Sequence, residues 1–195
     1  MLSVARQAIV SDLSQLDRLQ DNITALSISS NTYNNNDILD LNRFGSLTTI
    51  IFGNNCCSSV QRFKIDGLNR LKTIKIGSNS FTQSRDGNQK NRWKSFHILN
   101  CKQLKSLEIG DNSFSDFAGD FQLSCLLSLQ SIKIGFANAF SYCFYGSTFI
   151  VRGLLRGGND DSADLPNLES IELGGQTFRE SLSTVIESIE SKGMR

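Results

Sequence analysis

The chain has 195 residues, and its 20 Lys and Arg residues are balanced by 19 Asp and Glu residues for a formal charge of +1 at pH 7. This balance disfavours a dedicated nucleic-acid binder, which shows a basic excess or stripe, and it disfavours a polybasic membrane anchor. The longest apolar run is far shorter than the ~18 residues of a membrane-spanning helix, and residues 1–10 lack the apolar core and cleavage site of a secretory signal.

The first element predicted along the chain is an N-terminal helix. Six apolar residues recur at near-helical spacing, which predicts a helix over residues 4–19 that covers one end of the domain. They are Val4, Ala8, Ile9, Leu13, Leu16 and Leu19.

From residue 23 onward, one pattern recurs six times and reads apolar-x-x-apolar-x-apolar-x-x-Asn. The fifth copy has one extra residue before Asn138, and the last has Gln176 in place of Asn. A second apolar pattern starts at residues 39, 63, 96, 121 and 149, so the basic period is ~24 residues and the longer units carry insertions. The copies of the first pattern begin at Ile23, Leu47, Leu71, Leu104, Leu129 and Leu168. A downstream position is shared by Tyr33, Cys57, Phe81, Phe114 and Phe178.

Each unit therefore contains two short strings of alternating apolar residues, Ile-x-Ile and Phe-x-Ile. Alternation with β-branched residues predicts strands. Two strands per coil cannot bury both apolar rows alone, so we expect successive coils to stack into two parallel sheets. The outward column of the Ile-x-Ile strand reads Ser27, Ile51, Lys75, Glu108, Lys133 and Glu172. Its alternating charges favour a face that neutralises itself, with a mixed-charge recognition strip as the alternative.

A Gly follows the Ile-x-Ile strand, and an Asn follows two residues later in most copies. Gly at this corner permits a positive φ or a close backbone approach. A buried Asn amide can satisfy backbone groups between coils, so we interpret these residues as a structural ladder rather than as ligands. The glycines are Gly53, Gly77, Gly110, Gly135 and Gly174, and the asparagines are Asn31, Asn55, Asn79 and Asn112.

The recurring apolar-x-x-apolar-x-apolar-x-x-Asn stretch resembles the defining segment of the leucine-rich-repeat family over roughly residues 23–178. The Phe-x-Ile half is similar to the mostly-β repeats of bacterial and protist surface proteins rather than to the helix-backed repeats of ribonuclease inhibitor. The resemblance implies a mostly-β, right-handed solenoid with two short parallel strands per coil. We therefore assign residues 1–195 to one domain, with an N-terminal cap (1–20), repeats (21–178) and a C-terminal cap (179–195).

One insertion, residues 82–95, stands out as a candidate partner-binding loop. It contains the only Trp of the chain, and four cations surround it. Trp and Arg are enriched at binding hot spots, and loops on a rigid scaffold often carry recognition. Other coils close without these residues, so they are not needed for the fold; the alternative is that the Trp folds back as a lid over the core. The candidate contacts are Arg85, Lys90, Arg92, Trp93 and Lys94.

Two further segments complete the chain. The stretch 136–149 has more aromatic residues than the repeat needs, so we expect surplus rings at the surface, namely Tyr142, Phe144 and Tyr145. Near the C-terminus, Thr177 and Glu180 match a capping box. The apolar residues that follow predict a helix over 180–191, with a degenerate half-coil as the alternative.

No pattern in the sequence predicts catalysis, a cofactor or a metal site. The five cysteines lack a CxxC pair, and the acidic insertion around Asp160 lacks the spacing of a calcium loop. The one histidine, His97, is expected to be solvated, and a Cys101–Cys125 disulfide is geometrically conceivable.

The sequence thus favours a non-catalytic module, a scaffold for protein–protein interaction. We expect a monomer with an unidentified protein partner, no nucleic acid and no membrane insertion. A cytoplasmic location is favoured unless the chain is a fragment of a surface protein. The alternative function is a structural or adhesive surface protein built from stacked repeats.

Overall fold

The computed structural model describes residues 6–32, 37–136, 140–151 and 165–181. Within these ranges the chain is mostly β, with twelve short strands and one 3-10 helix, Leu13–Arg18. The strands are β1 (Gln7–Val10), β2 (Ala25–Ile28), β3 (Ile38–Asp40), β4 (Thr49–Phe52), β5 (Arg62–Asp66), β6 (Thr73–Ile76), β7 (Ser95–Leu99), β8 (Ser106–Ile109), β9 (Asp120–Ser124), β10 (Ser131–Ile134), β11 (Thr148–Val151) and β12 (Ser170–Leu173).

From β2 onward, successive strands join two different sheets in turn. The order is β1-β2-β4-β6-β8-β10-β12 in a seven-stranded sheet and β11-β9-β7-β5-β3 in a five-stranded sheet. All neighbouring strands are parallel. Equivalent positions of the sequence repeat pair directly, so that Ile50, Ile74 and Leu107 lie opposite one another. The two parallel sheets predicted from the alternating apolar residues are confirmed.

The N-terminal segment is not the predicted helix. β1 pairs in parallel with β2, and its residues alternate between exposed Ile9 and fully buried Val10, as in a strand that is half-covered. A 3-10 helix follows, in which Asp12 accepts a hydrogen bond from the Ser14 N–H at 2.9 Å. The prediction failed because apolar residues at positions 8, 9 and 10 fit either period, and the unpaired edge of β2 offers backbone partners that favour a strand.

At the other end, the predicted capping box is not formed. The Thr177 hydroxyl is buried without a hydrogen-bond partner among the described residues, and the Glu180 N–H donates to the Tyr145 carbonyl at 3.2 Å instead. Residues up to 181 form turns; the predicted helix over 180–191 falls almost wholly outside the described residues.

The core between the sheets contains two columns of stacked phenyl rings. Rings within a column are nearly parallel, with centroids 4.7–5.5 Å apart. Rings of different columns meet edge to face, as aromatic quadrupoles favour, for example Phe96 and Phe114 at 5.1 Å and 79°. The first column comprises Phe63, Phe96, Phe121 and Phe149, and the second comprises Phe81, Phe114, Phe144 and Phe178.

Phe144 therefore belongs to the core, and the expectation that its ring is at the surface is wrong. The ring is fully buried and stacks between Phe114 and Phe178. Sequence reasoning missed it because the unit that contains Phe144 has extra residues after its Ile-x-Ile strand, which moved the ring away from the expected offset.

Inside the repeat, serine hydroxyls satisfy backbone groups of neighbouring units. Ser80 Oγ donates to the Gly53 carbonyl at 2.8 Å, and Ser113 Oγ donates to the Gly77 carbonyl at 2.7 Å. Ser113 Oγ also accepts from the Ser80 N–H at 3.0 Å, so one hydroxyl joins two units. The predicted asparagine ladder is formed in part, since Asn55 Nδ2 donates to Asn31 Oδ1 at 3.2 Å and Asn112 Nδ2 donates to Asn79 Oδ1 at 3.5 Å. The prediction is wrong in placing these amides in the interior, because the four asparagines lie one residue before the interior positions, at corners with φ of 55–60°, and their side chains are not buried. They are Asn31, Asn55, Asn79 and Asn112.

Candidate partner-binding surface

The base of the 82–95 loop is fixed by a buried ion pair. Lys94 Nζ lies 2.8 Å from Asp116 Oδ2, and the two side chains are only 2% and 4% exposed. Asp116 Oδ2 also accepts the Gln83 N–H at 3.2 Å, which ties both ends of the loop to one carboxylate. Lys94 Nζ lies 5.4 Å from the centroid of the Phe117 ring. The expectation that Lys94 contacts a partner at the surface is therefore wrong, because its side chain is buried and anchors the loop.

The middle of the loop runs alongside the segment that precedes β9. Asn91 N donates to the Asp116 carbonyl at 2.8 Å, and Asn91 O accepts from the Ala118 N–H at 3.1 Å. Asn91 Oδ1 then accepts the Trp93 N–H at 2.9 Å in a local turn. These bonds hold the backbone of Trp93 on a fixed support.

The indole of Trp93 projects into solvent. The side chain is 79% exposed, although Lys94, one residue later, is buried. The alternative in which Trp93 folds back as a lid over the core is therefore wrong. An exposed Trp on an anchored backbone loses little conformational entropy when a partner covers it.

The tip of the loop packs against the following units. Gly87 has a φ of +68°, and a Cβ there would lie 2.8 Å from Cγ of Tyr145, so the turn accepts only glycine without strain. Lys90 pairs with Glu180 and lies 5.5 Å from the centroid of the Tyr145 ring. Tyr145 and Tyr142 are half-buried, with ring centroids 5.8 Å apart. Lys90 and both tyrosines are thus partly committed to contacts within the chain.

Arg85 and Arg92 are the exposed guanidinium groups of the loop. Arg85 Nη2 donates to Asn55 Oδ1 at 3.3 Å, on the side of the repeat that carries the corner asparagines. Arg92 makes no ion pair with another described residue. It is therefore the loop cation with the most freedom to bind an outside anion.

Three surface grooves converge on Arg92. One of about 490 Å³ runs between Gln83, Trp93 and Asp116. A second of about 500 Å³ lies between Gly146 and Glu180. The third, of about 350 Å³, lies between the loop and the outward face of the five-stranded sheet. Of the eight residues predicted as contacts, Arg92 lines all three grooves and Trp93 lines two of them.

We call the third groove the cationic groove. Its charged lining groups are Arg62 and Lys64 of β5, Arg92 of the loop and Asp120 of β9, and Trp93 and His97 also line it. Lys64 forms an exposed ion pair with Asp66 at 3.2 Å, whereas Arg62 has no ion pair with a described residue. Three cations thus face one lining carboxylate. Sequence reasoning missed Arg62, Lys64, His97 and Asp120, although all occupy outward positions near the Phe-x-Ile strands.

His97 has an environment that opposes its charge. Partial burial lowers its pKa below the usual 6.5, the Lys64 and Arg62 cations lower it further, and Asp120 acts in the opposite direction. Nε2 is buried and has no hydrogen-bond partner among the described residues. His97 is therefore half-buried and not the solvated side chain that the sequence predicts.

The outward face of the seven-stranded sheet carries the alternating charges in the register that the repeat predicts. Lys75 lies opposite Glu108, and Lys133 lies between Glu108 and Glu172. Lys75 pairs with Glu108 at 3.0 Å, and Lys133 pairs with Glu172 at 2.9 Å. These pairs favour the interpretation of a face that neutralises itself.

The thiols are mostly buried and none is oxidised to a disulfide. Cys56, Cys57, Cys101 and Cys143 are buried, Cys125 is exposed, and none of the five, all of which are described, forms a disulfide. The conceivable Cys101–Cys125 disulfide is therefore not formed. Burial raises the pKa of the Cys101 thiol to about 11 and that of Cys143 to about 12, so both are poor nucleophiles at neutral pH.

Within the described ranges, no group of three or more His, Cys, Asp or Glu side chains is arranged to hold a metal ion. None of the helices found there is both long and apolar enough to cross a membrane. No protein-family model, curated protein or solved structure matches this chain. A function for the chain therefore has to be inferred from the surface itself.

Proposed function

We propose that the chain is a non-catalytic binding module that holds a protein partner at the surface around Arg92 and Trp93. One observation carries this proposal: a 79% exposed Trp lines two grooves beside Arg92, on a loop whose base is fixed by a buried ion pair. Exposing a large indole to water is unfavourable, and covering it with a partner protein removes that apolar surface from water. Trp beside Arg on a rigid support is the composition typical of a binding hot spot.

We further propose that the scaffold is a right-handed leucine-rich-repeat solenoid. In support, strands alternate between two parallel sheets, and many hydrogen bonds join residues 24 apart, such as Thr48 to Thr24 and Asn54 to Ser30. Stacked repeats of this kind present extended surfaces with fixed spacing, which suits recognition of another protein.

The self-paired charges on the seven-stranded sheet make that face a weaker candidate. Its cations already have carboxylate partners within 3.0 Å, so a ligand must compete with an existing pair. Arg92 has no carboxylate partner among the described residues, so its guanidinium group can bind a carboxylate of another protein.

The proposal is tested by capture of binding proteins from the native cells with immobilised wild-type chain and two variants. Trp93→Ala removes the exposed indole, whereas Phe140→Ala removes a ring that is 74% exposed elsewhere and serves as the matched control. We expect one or more captured proteins to be lost with Trp93→Ala and retained with Phe140→Ala, as quantified by mass spectrometry.

A set of captured proteins that is identical for all three baits would contradict the proposal. Capture of the chain itself, with no other protein, would favour the alternative of a structural or adhesive protein. A benzophenone amino acid placed at position 93 should cross-link the captured protein directly, whereas the same group at position 133 should not.

A further inference from the structure

The cationic groove carries information about the chemistry of the partner. Arg62 and Lys64 stand two residues apart on the outward face of β5, with Phe63 pointing into the core between them. Their Cα atoms are therefore about 6.6 Å apart, the spacing of alternate residues on one face of a parallel strand. An extended peptide laid along β5 presents its own alternate side chains at the same spacing.

We infer that this groove binds an extended acidic segment of the partner protein in which carboxylates occupy alternate residues. The inference rests on the proposed function and specifies the ligand. Two successive carboxylates would face Arg62 and Lys64, and Arg92 would contact the segment from the loop side. Trp93 would cover one side of the peptide backbone, so that the charge pairs are partly shielded from water.

Two features of the groove favour a short peptide over a nucleic acid. The groove measures about 350 Å³ and has three cations, whereas proteins typically bind a polynucleotide along a longer basic groove that follows its backbone. The whole chain has a formal charge of +1, which adds little long-range attraction for a polyanion.

Asp120 provides an unusual check on this inference, because its removal should improve binding. The carboxylate lies in the groove that the acidic segment would occupy, and it has no ion pair with a described cation. Asp120→Asn keeps the shape of the side chain and removes the repulsion. A variant that binds more tightly than wild type cannot owe its effect to a damaged fold.

The experiment uses the full chain and its single Trp as the reporter, since Trp93 lies at the groove. The first probe is a Trp-free peptide of about ten residues in which Glu and Ser alternate, which is about 33 Å long when extended at ~3.3 Å per residue. The second has the same composition with the glutamates contiguous, and the third is a short oligothymidylate. Titration of the Trp93 emission at low salt gives the affinity for each.

We expect the alternating peptide to bind most tightly and to lose affinity as salt is added. Arg62→Ala and Arg92→Ala should each weaken it by about threefold or more, and Asp120→Asn should strengthen it by about twofold, as expected for partly exposed charge pairs. Lys133→Ala, on the opposite sheet, should leave the affinity unchanged.

Three outcomes would overturn the inference. Equal affinity for the two peptides would contradict the alternate-residue register, and tighter binding of the oligothymidylate would indicate a single-stranded nucleic acid. Absence of any peptide-induced change in Trp93 emission would reject an acidic ligand. The capture experiment distinguishes this failure from a failure of the proposed function. If no peptide changes the Trp93 emission but Trp93→Ala still loses a captured protein, the proposed function holds and the partner has a different chemistry.

Discussion

The two sheets present outward faces that differ in how their charges are satisfied. On the seven-stranded sheet, Lys75 and Lys133 each have a glutamate of a neighbouring strand within 3.0 Å. On the five-stranded sheet, Arg62 has no ion pair with a described residue, and Lys64 pairs within its own strand. The charges on the seven-stranded sheet therefore follow the repeat and neutralise one another. The five-stranded sheet lies beside the 82–95 insertion, and Arg62 on its face can bind an outside anion.

This difference shows which part of a repeat protein can carry a surface that the other units lack. A position that recurs in every unit has the same neighbours in every unit, so opposite charges are readily placed in successive strands. The 82–95 loop occurs in one unit only, and it places Arg92 and Trp93 beside the outward face of the five-stranded sheet. The repeat does not provide a matching charge for Arg92 in each strand of that face. Recognition is therefore expected where the repeat is interrupted.

The anchoring of the loop offers the strongest test of this comparison. Lys94→Ala leaves Asp116 buried without its cation, and such a loss typically destabilises a protein by about 3–5 kcal/mol. Denaturant unfolding measures the change, and Lys90→Ala, which removes an exposed lysine of the same loop, should cost less than about 1 kcal/mol.

A second variant separates the charge from the packing. Lys94→Met combined with Asp116→Leu removes both ions and should recover part of the lost stability, because neither charge is left alone in the interior. Equal stability of Lys94→Ala and Lys90→Ala would mean that the buried pair does not fix the loop.

The inward and outward sides of the seven-stranded sheet should differ next most strongly. Leu107→Ala removes a fully buried side chain of β8 and should destabilise the fold by about 2–5 kcal/mol through lost burial and a cavity. Lys133→Ala on β10 removes one half of an exposed pair and should cost less than about 1 kcal/mol. Similar losses in a urea titration would show that this sheet depends on its exposed ion pairs as much as on its buried side chains.

The smallest expected effect concerns pH and the face of the five-stranded sheet. The pKa of His97 is lowered in the folded chain, by partial burial first and then by Lys64 and Arg62. The unfolded chain therefore takes up a proton first as the pH falls below about 6.5, and the stability contributed by neutral His97 is lost in that range. The free energy of unfolding of wild type should decline relative to that of His97→Gln between pH 7 and pH 5. A difference that stays constant with pH would contradict the proposed environment of His97.

The strands from β2 onward and their register were predictable because they depend on local alternation repeated at a fixed spacing, whereas β1 lies outside the repeat and was predicted as part of a helix. Trp93 and Arg92 were identifiable because they interrupt that repeat. The burial of Lys94 was not, since its partner Asp116 lies 22 residues away and a lysine is ordinarily exposed. The ring of Phe144 was misassigned because an insertion changed its offset, and the Phe columns depend on position in space rather than on sequence spacing.

The stacked phenyl columns have a consequence for how such a chain lengthens. An interior ring such as Phe114 lies between the equivalent rings of the units before and after it, Phe81 and Phe144, at 4.7 and 4.9 Å. A duplicated unit inserted next to it would offer both neighbours the surface that they already contact. Gene duplication of one unit can therefore add length without a compensating change elsewhere, and a new loop can then diverge in one copy while the other copies keep the fold.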